Sequence, residues 1–254
     1  HSYGDLAGWS FNPFGDGRWL WMGDPELSVE EDAAFGLYDS TASDFDHLLA
    51  SSAGTLAVVA AGNLRGIGPA PGTIHHAYDP ATDTYQLSSY ARPQAGGTTG
   101  YDTLAPGPQT SKNALLIGAC APIPTGYRLP TDIVPWATSS IGPTDDGRIK
   151  PDLLAPGTGV YALGPLGTYT TVEGTSYAAP QAVGASALLA QRFRTAGFGN
   201  PGAALQKALF IHTAKPATAD GSPTYATGWG LLDVREAAEI VDAQAAGNAS
   251  FETA

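Results

Sequence analysis

Gly174-Thr175-Ser176-Tyr177-Ala178-Ala179-Pro180 opens a run of small and apolar residues that continues to Arg194. The spacing predicts a helix over 176–194, with Pro180 accommodated in the first turn, where a missing N–H costs little. Ala178, Ala179, Gly184, Ala185 and Ala187 would let neighbouring backbone approach closely. A helix apolar nearly all round has to be covered on every side, so this one is expected at the centre of the fold rather than at its periphery. Ser176, at the start, has two readings. Serine is a favoured N-cap, and an isolated Gly-Thr-Ser reads as one. Alternatively, a sharp turn after Gly174 presents the hydroxyl at a helix N-terminus, where the macrodipole favours developing negative charge and a nucleophile would be well placed.

Outward from this helix the chain alternates. The stretches 56–61 and 114–119 are short continuous apolar runs of the kind that form strands buried on both faces of a parallel sheet. Ser43 is the expected cap of a helix through Phe45, Leu48 and Leu49, and helices over 201–214 and 233–245 are expected with Asn200 and Asp233 as N-caps. Extended pieces at 159–163 and 169–172 lead into Gly174. The Gly-, Pro- and Thr-rich stretch 64–111 reads as long excursions with a hairpin near 79–87, and 1–40 as an irregular surface segment after a short strand. The fold class is α/β: a mostly parallel sheet flanked by helices, with Ser176 near the carboxyl ends of the strands.

Composition bounds the function. At 254 residues and 43% hydrophobic the chain is long enough for one sizeable core, and a single domain over 1–254 is expected. No apolar run approaches the roughly 20 residues of a membrane span. A net charge of -12, with only 12 Lys and Arg, argues against nucleic acid as a partner and is in keeping with a secreted protein. The start at His1 carries no signal-peptide pattern, so any export signal would lie outside these residues. The single cysteine, Cys120, excludes an internal disulfide and reads as a buried thiol.

Gly174-Thr175-Ser176-Tyr177-Ala178-Ala179-Pro180 resembles the serine motif of the subtilisin-like proteases, the subtilases, and three further matches fall in that family's order. Val59-Ala60-Ala61-Gly62-Asn63 resembles the strand ending at the family's oxyanion asparagine, Lys150-Pro151-Asp152 its Lys-Pro-Asp segment, and Gly228-Trp229-Gly230-Leu231-Leu232 the stretch before its closing helix. The resemblance implies a three-layer subtilisin-like fold and a serine endopeptidase acting on protein or peptide substrates through an acyl-enzyme. Ser176 would be the nucleophile and Asn63 an oxyanion donor, with no cofactor required. Ser2-Tyr3-Gly4 resembles the strand that pairs with extended substrate, while Ala60, Ala61 and Gly62 would wall the primary specificity pocket and Thr175 would adjoin the substrate.

The acid and the base are not where the resemblance implies them. Subtilases run Asp, His, Ser along the chain, with the His in His-Gly-Thr-His or a close variant. The five histidines here are His1, His47, His75, His76 and His212, and none has that context. His47 is expected to face solvent, His212 to sit in the core beside Phe210 and Ile211, and His75-His76 to lie in a loop, solvated in preference to holding a metal with Asp79. Asp39-Ser40-Thr41 reads as a surface turn. The chain then resembles the carboxyl-terminal portion of a subtilase catalytic domain, with a complementary fragment carrying Asp and His. The alternative is a catalytically inactive subtilase-fold binding or scaffold module. An α/β-hydrolase order of Ser, acid, His fails because no Asp or Glu lies between Ser176 and His212, and the long helix after Ser176 contradicts an all-β protease. The related sedolisins place an aspartate where Asn63 stands. The family often binds calcium as a structural ion, for which the clustered acids Asp24, Glu26, Glu30, Glu31 and Asp32 offer oxygen ligands; the alternative reading of such a cluster is a solvated face.

Overall fold

Alternation along two buried strands builds the centre of the molecule. In the computed structural model, which describes residues 6–249, β3 (Val58–Ala60), β6 (Leu115–Cys120) and β7 (Leu153–Pro156) form a parallel sheet in the order β3-β6-β7. Successive side chains leave a strand on opposite faces. Val58, Ala60, Leu115, Ile117, Leu153 and Ala155 accordingly point one way, into a core shared with α2 (Thr175–Thr195), α3 (Ala203–His212) and α4 (Val234–Ala245). Val59, Ala61, Ala114 and Leu116 point the other way, onto Leu49 of α1 (Ser40–Ala50) and Leu104. Helix, sheet and helices make three layers, the α/β architecture expected.

Two polar devices lock this sheet. Asp46, buried on α1, accepts from Ser111 Oγ and the Asn113 N–H with one oxygen and from the Lys112 N–H and Tyr38 hydroxyl with the other. Burial pushes its carboxyl pKa up, but these hydrogen bonds prevail and hold it below the ordinary value. The Lys-Pro-Asp segment supplies the second. Asp152 Oδ2 accepts from the Leu116 N–H and from Lys150 Nζ, both at 2.7 Å, tying β6 to the start of β7. Burial pushes the Lys150 ammonium down to about 8, partly offset by the Asp152 charge.

The amino-terminal stretch differs from expectation. Residues 6–40 are not a plain surface segment: β1 (Trp9–Phe11) and β2 (Trp19–Trp21) join β4 (His75–Asp79) and β5 (Thr84–Ser88) in a second, mixed sheet. Trp9, Trp21 and Phe35 are its core. Strands of three residues separated by Gly-rich turns are too short to show a period, which is why sequence pattern did not reveal them. The β4–β5 hairpin falls where expected, but His75 and His76 lie on its first strand and not in a loop. The helix caps also shift. Asp39, read as a turn residue, caps α1 by accepting from the Ala42 N–H, so Ser43 lies inside the helix. Gly202, not Asn200, precedes α3, while Asp233 caps α4 as expected. The remaining extended pieces, β8 (Val160–Leu163) and β9 (Tyr169–Val172), form an antiparallel hairpin that runs into α2.

Candidate active site

Asn63 and Ser176 are 113 positions apart in the chain, and a single residue, Thr175, joins their neighbourhoods. Its backbone N–H and its hydroxyl both donate to Asn63 Oδ1, at 3.0 and 2.9 Å, and the same hydroxyl accepts from the Gly62 N–H at 3.1 Å. Both donors to Asn63 can only be met by its carbonyl oxygen, so Nδ2 is the end of the amide left to act as a donor. Asn63 itself is exposed, whereas the Thr175 side chain is fully buried and acts on Asn63 from within.

The backbone on either side explains the glycines. Gly62 has φ +106°, and a Cβ there would stand 2.9 Å from Ser140 Oγ. Ser140, fully buried, grips the turn: its N–H donates to the Gly62 carbonyl and its Oγ accepts from the Leu64 N–H. Gly174 has φ +145°, donates its N–H to the Gly157 carbonyl at 2.8 Å, and passes 3.3 Å from Asn63 Nδ2 where its Cβ would be. Gly157 in turn has no room for a Cβ, which would meet Ala119 at 2.7 Å. Gly62 and Gly157 follow the carboxyl ends of β3 and β7, so the site sits at the carboxyl edge of the parallel sheet, where α/β folds bind ligands.

Ser176 is the second residue of α2 and half-buried; the cap position belongs to Gly174, so the capping role open to Ser176 from sequence is not the one it takes. No acid lies in the first turn of α2, and Arg192 and Arg194 lie in the last, a charge arrangement that keeps the amino-terminal end favourable for an anion. Of the expected pocket residues, Ala60 and Ala61 bury their side chains in the two cores, leaving backbone and the half-buried Gly62 toward the site. Ser2-Tyr3-Gly4 lies outside the described residues. Ser140 and Gly157 were missed in the sequence because a hydroxyl or a missing side chain in a loop carries no periodic signal.

The histidines have other company. His47 is exposed on α1, and His212 is exposed at the last turn of α3 instead of in the core, its neighbours Phe210 and Thr213 turning inward. His75 is buried in the second sheet against Trp9, 2.8 Å from an Arg92 nitrogen, and burial pushes its pKa down. His76 pairs with Asp16 at 2.8 Å, the only carboxylate–histidine pair among the described residues, and meets Phe14 edge to face. Adjacent strand residues face opposite ways, so His75 and His76 cannot share an ion with Asp79. In the acidic stretch, Asp32 gives its oxygens to the Gly8 and Ala34 N–H groups, and no group of three or more metal-ligating side chains forms among the described residues. Cys120 is buried, and desolvation pushes its thiol up to about 12. Gly228 and Gly230 allow the segment before α4 to press on backbone: a Cβ on Gly230 would stand 2.0 Å from the Lys215 carbonyl oxygen.

The chain is 32% identical over 142 residues to the serine protease/ABC transporter B family protein tagA of Dictyostelium discoideum, and 34% identical over 111 residues to pyrolysin of Pyrococcus furiosus. These matches cover 45% and 41% of this chain but 8% of either relative, so the chain spans a small part of their length. In fold it is similar to the patellamide maturation protease PatA, with a TM-score of 0.52 at 20% identity over 82% of this chain and 58% of that one. The prenylagaramide maturation protease PagA gives a TM-score of 0.53 at 20% identity over 84% and 60%. The sequence model of the subtilase family matches residues 10–230, nearly the whole span from the second sheet to the segment before α4, and the chain belongs to that family.

Proposed function

We propose that this chain forms part of a serine endopeptidase, exported from the cell, in which Ser176 attacks the scissile carbonyl of a protein or peptide. Asn63 Nδ2 and the Ser176 N–H would receive the oxyanion. The observation that carries this reading is the bracket at Thr175: both donors go to Asn63 Oδ1, so the amide is held with its nitrogen turned outward beside the start of α2. A donor fixed before reaction costs no reorganisation in the transition state. The Ser176 proton passes to an imidazole, the tetrahedral intermediate collapses to the acyl-enzyme with loss of the amine, and water releases the acid. Membership of the subtilase family supports the reaction class. Because the four described histidines are engaged or exposed elsewhere, the reading assigns imidazole and carboxylate to a segment or chain outside these residues. A Ser2-Tyr3-Gly4 strand pairing with extended substrate belongs to the same proposal.

A fluorophosphonate probe tests it. Labelling at Ser176, abolished by Ser176→Ala and slowed by Asn63→Leu, is expected in the native preparation. Absence of labelling in protein whose near-ultraviolet dichroism shows a packed core would favour the inactive binding module instead.

A further inference from the structure

The few basic residues of this acidic chain are not evenly spread. Acids outnumber Lys and Arg by 24 to 12, yet Lys112, Arg148, Lys150 and Lys207 gather in one place, against the carboxylates of Asp46, Asp146 and Asp152. Those acids are already engaged. Asp152 and the Ala114 carbonyl hold Lys150 and Lys207, Asp146 holds Arg148, and Asp46 accepts from Ser111, Tyr38 and two backbone N–H groups. Lys112 is exposed, with Nζ 4.1 Å from the centre of the Tyr38 ring, and forms no ion pair with a described residue. Arg148 lies 5.4 Å from the same ring and keeps Nη2 buried without a hydrogen-bond partner. Burial pushes the Lys150 ammonium down to about 8, and the charges of Lys207 and Arg148 push the same way.

The cations border a cavity of about 470 Å³ between α1 and α3. Leu49 and Ala53 form one apolar wall and Ala204, Ala208 and Ile211 the other, while Lys112, Asn113 and Lys207 are its polar lining. Lys112 and Lys207 also line a second cavity, of about 330 Å³, with Arg148, Lys150 and Trp229. Thr55 and Asn113 precede β3 and β6, and Lys150 precedes β7. Both cavities therefore lie at the amino edge of the parallel sheet, away from the carboxyl edge that carries Asn63 and Ser176.

We infer that the cavity between α1 and α3 binds a small amphipathic carboxylate, its anionic head at Lys112 and its aliphatic chain along the apolar walls. Lys112 makes the direct contact. Lys207, whose ammonium already donates to the Lys112 and Ala114 carbonyls beside Asp152, contributes attraction by its charge. A sugar or a polyanion would bury polar groups unpaired against the alanines and Ile211, and a neutral chain would leave the cations without a counter-charge. The volume is that of a small-molecule site. The inference does not depend on the function proposed above.

Calorimetric titration of octanoate into the full polypeptide that contains these residues tests it, with 1-octanol and acetate probing tail and head separately. Expected is one octanoate site per chain, with octanol and acetate each bound at least about tenfold more weakly. Lys112→Gln removes the head's partner and Ala204→Leu fills the groove. Both positions are exposed, so the thermal midpoint should stay put while each variant weakens octanoate about tenfold. No heat of binding up to about 1 mM octanoate, several equivalent sites, or octanol bound as well as octanoate would each overturn the inference. An unchanged octanoate affinity in either folded variant would do the same.

Discussion

The hydroxyl of Thr175 is the smallest part of the molecule on which the proposed chemistry turns. It restrains Asn63 and Gly62 together and is itself fully buried. Thr175→Val keeps the shape and removes the hydroxyl, leaving the Asn63 amide held by one donor instead of two. Turnover of a peptide substrate should fall about tenfold with KM little changed, against a loss of about 10²–10³ for Asn63→Leu, where the oxyanion donor itself is gone. A larger loss for Thr175→Val than for Asn63→Leu would contradict the positioning role. Asp102 shows a different residue-scale effect. Burial, then the charges of Asp145 and Glu31, push its carboxyl up to about 7, and its Oδ1 is buried without a hydrogen-bond partner. A folded pKa above the unfolded one means that the folded state holds the proton more tightly, so stability is fully present near pH 4 and is lost as pH rises through about 7. Asp102→Asn should therefore match the parent at pH 4 and exceed it by about 1–2 kcal/mol at pH 8, after discounting for partial exposure. Urea unfolding of the two proteins at both pH values decides it; equal stability at pH 8 would mean the carboxyl is not under that strain.

At the level of elements, what was legible followed from burial and what was not followed from local choice. β3, β6 and α2 announce themselves because an apolar run with no polar interruption has few ways to be satisfied. The start of α1 does not: Asp39, Ser40, Thr41 and Ser43 are all competent caps, and only the extended backbone of Asp39, φ -86° and ψ -175°, selects one. The same competition misplaced the cap of α3, where Asn200 instead accepts from Arg194. Asp39→Ala should lower stability by about 1 kcal/mol and Ser43→Ala by a few tenths, read as shifts in the denaturation midpoint. Equal losses would return the cap to Ser43. The aromatic sheet was illegible for another reason: β2 pairs with β4 across an intervening helix and strand, and such pairing leaves no trace in a three-residue segment. In the site, motif order brought Asn63 and Ser176 together on paper, but the agents that hold them, Ser140 and Gly157, act by fit alone.

Across the whole molecule, 24 acidic residues face 12 basic ones, and the excess is not neutralised locally. Asp102, Asp145 and Glu31 each have a raised pKa to which a neighbouring carboxylate contributes after burial, the signature of acids crowded against one another. Self-repulsion of this kind destabilises the compact state and is long-ranged at low ionic strength, where the screening length is about 30 Å at 0.01 M salt, falling to about 10 Å at 0.1 M. The exposed ion pairs that salt also weakens, such as Arg235–Glu239, are each worth little. The Lys150–Asp152 pair is buried and nearly unscreened. The balance has a definite sign: raising sodium chloride from about 0.01 to 0.2 M should stabilise the chain by around 1 kcal/mol, a rise of roughly 2–4 °C in Tm. Chelator present throughout separates screening from specific cation binding. A thermal midpoint that falls with salt would mean that the surface ion pairs, and not the net charge, govern the electrostatics of the fold.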